Sequence, residues 1–495
     1  MPGFVDDFLN GITMYRLALY YLMALWVAAW FAAYAGVLPF GPSALLVSSL
    51  VILATCWVVN TAYAYAFGAA TNFESVYITA LILVLIIPPS TLTNYAGLGF
   101  LVFASAWAMA SKYLLAIGKK HIFNPAAFGV ALSSFVIGQS ATWWVSGNLY
   151  LLPVLLVGGV LLVRKLRRAD VVWAFTLAVL AMITLTYSSP STTVLQVVQH
   201  SAFFFLAFVM LTEPLTMPPD RLRRVLYGAL VGLLFLPTVH IGSFYFTPEL
   251  ALLVGNLFAY LVSPKGRLML RLVERKMLAA GVYEFAFATD KAFTFRPGQY
   301  LEWTLPHDTV DARGNRRYFT IASSPTEREV KMGVKFYESP SSFKRALATM
   351  RAGDVISAAH LSGDFVLPHN PKKKSAFIAG GIGVTPFRSM VQYLLDKKER
   401  RDIVLFYAAG SAKEFAYKDL FDRAWRELGL RTVYAAAEAG QRITPELIAR
   451  EVPDYKERTF YISGPRSMVE SFKVALREAG VPRWHIKTDF FPGFV

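Results

Sequence analysis

Cysteine is almost missing: Cys56 is the only one in 495 residues. That excludes a disulfide within the chain, and an iron–sulfur cluster or thiolate zinc site of its own, since each needs several Cys ligands. No metal site is expected. Histidine is scarce in the first half, where only His121, His200 and His240 occur, each on a separate apolar segment. Two haems across a helix pair need two inward-facing His on each helix, so a bis-haem membrane reductase is excluded. Acidic charge is short as well, with 33 Asp and Glu against 49 Lys and Arg and a formal net charge of +16. Residues 1–264 hold eleven basic and seven acidic residues, and the remainder 38 and 26. The basic residues are scattered without a basic–aromatic platform, which argues against nucleic acid. A domain beside an anionic leaflet has an electrostatic reason to be basic. No cleavable signal is expected, because Asp6 and Asp7 make an acidic start without a small-residue cleavage site.

What the chain has in excess is apolar sequence, 55% of residues, concentrated before residue 264. Ten apolar segments of spanning character centre near residues 17–39, 43–66, 75–88, 94–111, 124–138, 148–163, 171–187, 194–212, 224–237 and 248–264. Basic loops at Lys112/Lys119/Lys120, Arg164/Lys165/Arg167/Arg168, Arg221/Arg223/Arg224 and Lys265/Arg267/Arg271 alternate with loops lacking Lys and Arg. The positive-inside rule then predicts a multi-pass protein of the cell inner membrane, with both termini and the soluble half cytoplasmic. The expected division is 1–264 for the membrane domain, 265–274 for a linker, and two soluble domains at 275–370 and 371–495.

The membrane half repeats itself. IFNPAAF (Ile122–Phe128) echoes YFTPELA (Tyr245–Ala251), each a helix start with Asn124 or Thr247 as N-cap and Pro125 or Pro248 at the first helical position. Proline pairs precede both, Pro88/Pro89 and Pro218/Pro219. In the ten-segment count the two copies enter with opposite sense, and interrupted segments at matching positions of inverted repeats line central binding sites. Interfacial loops are the plain alternative. Among intramembrane polar residues, His121 suits a membrane-edge position, whereas Glu213 is a functional suspect.

KHIFNPAAFGVAL and the stretch from Val198 through TEPLTMPPD to Gly232 resemble a membrane component of the bacterial Rnf electron-transport complex and its counterpart in the sodium-pumping NADH:quinone reductase. The matching positions are Asn124-Pro125-Ala126 and Thr212-Glu213-Pro214-Leu215-Thr216-Met217-Pro218. The resemblance implies a transporter-like, inverted-repeat helical fold that carries flavin. Asn124, Glu213 and Thr216 are the candidate membrane cofactor residues. That family binds FMN covalently at an S-G-A-T threonine; this chain has none, and Thr192 in SSPSTTV is the nearest substitute. A second membrane flavin, FMN or riboflavin, is therefore expected only on the strength of the resemblance.

After residue 275 the chain alternates strand-like runs with turns. FRPGQY (Phe295–Tyr300), RYFT (Arg317–Thr320), PSSF (Pro340–Phe343), GGIGVTP (Gly380–Pro386), SGP (Ser463–Pro465) and DFF (Asp489–Phe491) follow in order. A guanidinium suits a flavin phosphate, and a Gly-rich turn between an apolar strand and a helix suits a pyrophosphate. The set resembles the ferredoxin–NADP⁺ reductase superfamily. That likeness implies an antiparallel β-barrel FAD domain and an α/β nucleotide-binding domain. The flavin ligands it implies are Arg317, Tyr318, Phe319, Thr320, Ser341, Ser342, Phe343, Asp489 and Phe491. Those for NAD(P)H are Gly380, Gly381, Gly383, Thr385, Pro386, Gly464 and Pro465, and the residues at the reacting rings are Phe319, Thr320, Ser463 and Phe490. Serine stands at 463 where that family has cysteine. The stretch from Leu405 to Leu420 offers Lys413 and no Arg, so NADH is favoured over NADPH. The implied activity is a membrane-bound NAD(P)H oxidoreductase passing electrons through FAD to a membrane flavin, quinone or partner protein, with ion coupling implied by the family alone. The alternative is a transporter or channel regulated by a redox-sensing NAD(H)/FAD domain.

Overall fold

Thr13 accepts the Arg16 N–H at 3.3 Å and so starts the first long helix, Met14–Tyr34. In this computed structural model every residue is described except 1–4, 6–7, 10–11, 69–72, 118–119, 264–266, 312–313 and 490–495. The chain divides into two compact units, Met1–Gly266 and Arg267–Val495.

In the first unit all ten apolar segments carry helix, but they are not ten equal spans. Among the described residues, Met14–Tyr34, Pro42–Ala66, Tyr95–Leu114 and Ala169–Thr186 are long and apolar enough to cross a membrane. A fifth forms if Pro190–His200 and Phe203–Met210, bent by 69°, count as one broken span. The helices Pro125–Ile137 and Pro248–Val262 are apolar but shorter. The sequence SSPSTTV, which holds Thr192, opens a helix with Pro190 at its first position.

The repeat is visible as a succession of elements. Helix Tyr95–Leu114, a hairpin of Ala116–Ile117 with Lys120–His121, and helix Pro125–Ile137 are followed later by helix Arg221–Leu234, a hairpin of His240–Ile241 with Phe244–Tyr245, and helix Pro248–Val262. Asn124 caps the first short helix by accepting the Ala127 N–H at 3.0 Å, and Thr247 caps the second from Leu250 at 3.4 Å. Small residues let helices touch. A Cβ at Gly228 or Gly232 would lie 2.6 Å from the Val171 or Phe175 carbonyl oxygen, so the four-residue glycine spacing seats this helix on Ala169–Thr186.

The second unit holds two sheets. Six antiparallel strands run in the order Arg316–Thr320, Tyr300–Thr304, Val355–Ser362, Leu268–Ala279, Val282–Thr289 and Val330–Lys335. They curl around Trp303, Phe285, Phe287 and Leu301, all buried. The strand Leu268–Ala279 occupies most of the stretch 265–274 expected as a linker. Leu268, Leu270 and Leu272 face inward while Met269 and Arg271 face out, the two-residue period of a half-buried strand. Five parallel strands then run in the order Arg431–Ala436, Ile403–Ala409, Ser375–Gly380, Thr459–Ser463 and Ile486–Asp489.

Candidate functional site

Strand Ser375–Gly380 is buried along its whole length and leads into the tight turn Gly381–Val384 and helix Thr385–Lys397. Pro386 in the first turn costs no intrahelical donor. A Cβ on Gly383 would stand 2.5 Å from the Gly464 Cα, so the backbones of these two turns touch. A Cβ on Gly380 would meet the Met468 sulfur at 2.5 Å and Pro465 Cδ at 3.0 Å. Gly381 has φ +51° and open space where a side chain would project. Gly380, Gly381, Gly383, Gly464 and Pro465 therefore form one backbone cradle whose outer side a side chain would obstruct, which fits a dinucleotide pyrophosphate. Thr385 is buried, its hydroxyl donating to the Ile382 carbonyl at 3.2 Å. Ser463 is buried at the end of its strand, paired with Ala379 on one side and Asp489 on the other. Phe490 and Phe491 lie outside the described residues.

The barrel side fits a flavin nucleotide in part. The Arg317 guanidinium donates to the carbonyls of Gly314 at 2.9 Å and Arg316 at 2.7 Å, faces Asp311 at 3.5 Å, and lies 5.5 Å over the Phe343 ring. Arg316 takes another course, pairing with Glu302 at 3.2 Å. The Tyr318 hydroxyl donates to the other Glu302 oxygen at 2.8 Å, and its ring stands edge-on to Tyr300. Phe319 packs against Phe343 at 5.8 Å, and Thr320 is buried. Two expectations change. Phe343, expected beside the phosphates, is wholly buried in the barrel core, leaving only its backbone for an anion. Ser341 caps helix Ser342–Thr349, but the Ser342 hydroxyl is bonded to His307 and the Asp311 N–H, both at 3.0 Å. The Asp311 carboxylate accepts the Ser342 N–H at 2.9 Å, so a carboxylate stands where a phosphate is expected.

In the membrane unit the three sequence candidates converge. The Glu213 carboxylate accepts from the Asn124 amide at 2.9 Å and the Thr216 hydroxyl at 3.0 Å, and the His121 ring nitrogen stands 3.4 Å from its other oxygen. His121, read as an edge residue, is thus part of the cluster. Asn256, which sequence reasoning missed, accepts the Asn124 N–H at 2.8 Å and donates to the Thr216 carbonyl and the Tyr227 hydroxyl, both at 3.2 Å. Its only signal was an amide inside the apolar run LLVGNLFAYL. A small cavity adjoins this cluster, lined by His121, Leu215, Thr216, Asn256 and Tyr260 among others. Nearby in sequence to the first hairpin, the Lys112 ammonium donates to the Ser75 carbonyl and hydroxyl, both at 3.1 Å. Thr192 sits apart, exposed at a helix start, its hydroxyl bonded to the Ser189 carbonyl at 2.9 Å.

Residues 145–265 match the NQR2, RnfD, RnfE family, and residues 377–473 match the Oxidoreductase NAD-binding domain. A flavohemoprotein of Pseudomonas putida is 26% identical over 239 residues, covering 46% of this chain and 59% of the relative. An NADPH oxidoreductase of Mycobacterium tuberculosis is 27% identical over 202 residues, covering 40% and 52%. The chain thus spans between half and three fifths of these relatives. Among solved structures, a flavohemoglobin from Malassezia yamatoensis with bound FAD and heme is 18% identical with a TM-score of 0.42, covering 49% of this chain and 67% of that one. The protein therefore joins a segment that matches the NQR2, RnfD, RnfE family to a region that matches an oxidoreductase NAD-binding domain.

Proposed function

We propose that this chain is a membrane-bound NAD(P)H oxidoreductase, with NADH favoured. Its cytoplasmic second unit takes electrons from the nicotinamide through FAD, and its membrane unit delivers them to a quinone, a membrane flavin or a redox partner protein. The observation that carries this reading is the Glu213 cluster, in the same chain as the Gly380–Pro386 cradle.

Bound FAD supplies two-electron acceptance from a nicotinamide and stepwise release of electrons, chemistry that belongs to the cofactor. The residues that would hold it are Arg317, Tyr318, Phe319, Thr320 and the start of helix Ser342–Thr349, with Asp311 giving way at that start. Gly380, Gly381, Gly383, Gly464 and Pro465 would hold the dinucleotide, and Ser463 borders the same turn. In the membrane unit a quinone gaining two electrons also gains two protons. The His121–Glu213 pair, steadied by Asn124 and Thr216, is placed to hold and move a proton beside the small cavity. The same hydrogen-bonding groups suit the edge of a flavin ring.

The test uses the full chain in detergent with NADH and NADPH, against an artificial dye and a water-soluble quinone. Glu213→Gln and Asn124→Leu are expected to lower quinone reduction by about tenfold or more while dye reduction holds. Quinone reduction indifferent to both changes would sink the membrane half of this reading. The broken span and repeated short helices favour a second reading, a transporter with a redox-sensing domain. It predicts ion flux in liposomes that survives loss of FAD in Arg317→Ala.

A further inference from the structure

Within the second unit, the helix that begins at Thr385 meets the barrel through buried polar groups rather than apolar ones alone. Arg388, one turn along that helix and 7% exposed, donates to the Ala322 carbonyl at 3.0 Å and forks onto both oxygens of Glu327, one arm at 2.9 Å. Its neighbour Ser389 donates to the Ser323 carbonyl at 2.6 Å. Lys331 bonds Glu327 at 3.0 Å and stands 4.0 Å from Glu284. Tyr417 lies beneath Arg388, ring to guanidinium 5.6 Å, with φ +59°. A bulky residue in the left-handed region is strained and persists only where its surroundings hold it. A Cβ at Gly333 would come 2.7 Å from the Thr385 methyl and 3.0 Å from the Tyr417 hydroxyl, so the barrel strand reaches this seam only as glycine.

Glu284 Oε2, Arg388 Nε and Tyr417 Oη are all buried in this seam. Burial pushes the Tyr417 phenol well above its ordinary value, and the Glu284 carboxylate, by its charge and as a hydrogen-bond partner, pushes it further, so the group stays a neutral donor to that acceptor. The helix that Arg388 ties into this seam starts at the cradle itself, three residues before Arg388.

We propose that Arg388, Glu327, Tyr417 and Glu284 are positioning residues: the seam holds the helix that leaves the Gly380–Pro386 turn against the barrel, and thereby sets the alignment of nicotinamide and flavin for hydride transfer. This rests on the reading that NAD(P)H reduces FAD here. In the step, a hydride with its electron pair leaves nicotinamide C4 for the flavin, leaving NAD(P)⁺ and reduced flavin. None of the four residues touches the reacting atoms. Their effect is on distance, and a misplacement of about 1 Å can cost a hundredfold in rate.

The experiment is anaerobic rapid mixing of the full chain with NADH, following flavin bleaching and the long-wavelength charge-transfer absorbance of the nicotinamide–flavin pair. Tyr417→Phe keeps the ring under Arg388 and removes only the hydroxyl; Glu284→Gln keeps shape and removes charge. Both are expected to retain FAD and thermal midpoint, to lower the limiting bleaching rate by about tenfold, and to weaken the charge-transfer band with little change in apparent NADH affinity. Arg388→Lys should fall between wild type and Arg388→Ala. If the variants bleach as fast as wild type with the same band, or lose only thermal midpoint, the seam is structural and the proposal is overturned. A wild-type protein that holds FAD yet bleaches with neither nicotinamide overturns the underlying reading, and the proposal with it.

Discussion

Asp311 holds the place of the anion that a flavin nucleotide would bring. Its carboxylate accepts the Ser342 N–H at 2.9 Å, at the start of a helix where an anion is stabilised by unpaired N–H groups. A flavin phosphate needs the same N–H groups, and the Arg317 guanidinium beside them. Asp311→Asn keeps the side-chain acceptor but removes the competing charge, so FAD affinity is expected to rise severalfold with the fold unchanged. Titration of apoprotein with FAD, read by flavin fluorescence quenching, checks this; weaker binding would mean that Asp311 orders the site. A second effect at this scale is pH dependence. Burial pushes the Glu327 carboxyl up, but the hydrogen bonds and charge of Arg388 outweigh it, with help from the Ser324 N–H and Lys331, and hold it below the usual carboxylate range. A group lowered in the folded chain contributes fully above its unfolded value, near ~4.3, and that contribution is lost as pH falls through the folded value. The thermal midpoint of the second unit should therefore drop below about pH 5, and Glu327→Gln should flatten that drop. Asp454, held at about 2 mainly by the Arg458 hydrogen bond, acts with the same sign. It is only partly buried, and screening there leaves such pairs little weight.

At the scale of elements, close approach does the work that apolar area cannot do inside a bilayer. Gly228 and Gly232 let helix Arg221–Leu234 lie on the backbone of Ala169–Thr186, with carbonyl oxygens 2.6 Å from where a Cβ would stand. Gly232→Leu is expected to force the pair apart, costing about 1–3 kcal/mol, which a detergent melting curve of the full chain would show as a lower midpoint. An unchanged midpoint would mean the helices do not depend on this contact. These elements differed in how plainly the chain announced them. Pro125 and Pro248, each behind a capping Asn or Thr, announced both short helices and their kinship, because cap and first-turn proline are local chemistry. The bend at Ser201–Ala202 was hidden, since SAFFFLAFVM contains no breaker and packing alone divides it. The strand Leu268–Ala279 was hidden too, because its outward Arg271 and Glu274 gave it the look of a polar linker. The cluster showed the same split: Asn124, Glu213 and Thr216 were legible from their motif, whereas Asn256 joins them through contacts 132 and 40 residues apart in sequence. The seam at Arg388 and Glu284 was likewise invisible, because pairing between distant elements leaves no local pattern.

For the whole molecule, the two units give opposite requirements on solvent. The cradle of Gly380, Gly383 and Gly464 must meet a water-soluble dinucleotide, while the Glu213 cluster lies in a unit whose apolar helices belong in lipid. A carboxylate there is tolerated because three side chains bond it, and the same bonds would let it exchange protons with an acceptor without standing free in hydrocarbon. The proposed orientation puts the second unit on the cytoplasmic face, following the alternation of basic loops. NADH does not cross the bilayer, so the orientation can be read directly from activity. Inverted membrane vesicles containing this protein should oxidise added NADH and reduce quinone, while sealed right-side-out vesicles should do so only after permeabilisation. Glu213→Gln should abolish the quinone arm in the inverted vesicles and spare dye reduction by the exposed unit. Equal NADH oxidation by both sealed vesicle types would reverse or break the proposed topology. Loss of dye and quinone reduction together in Glu213→Gln would place the carboxylate in the stability of the whole chain rather than in the passage of electrons through its membrane half.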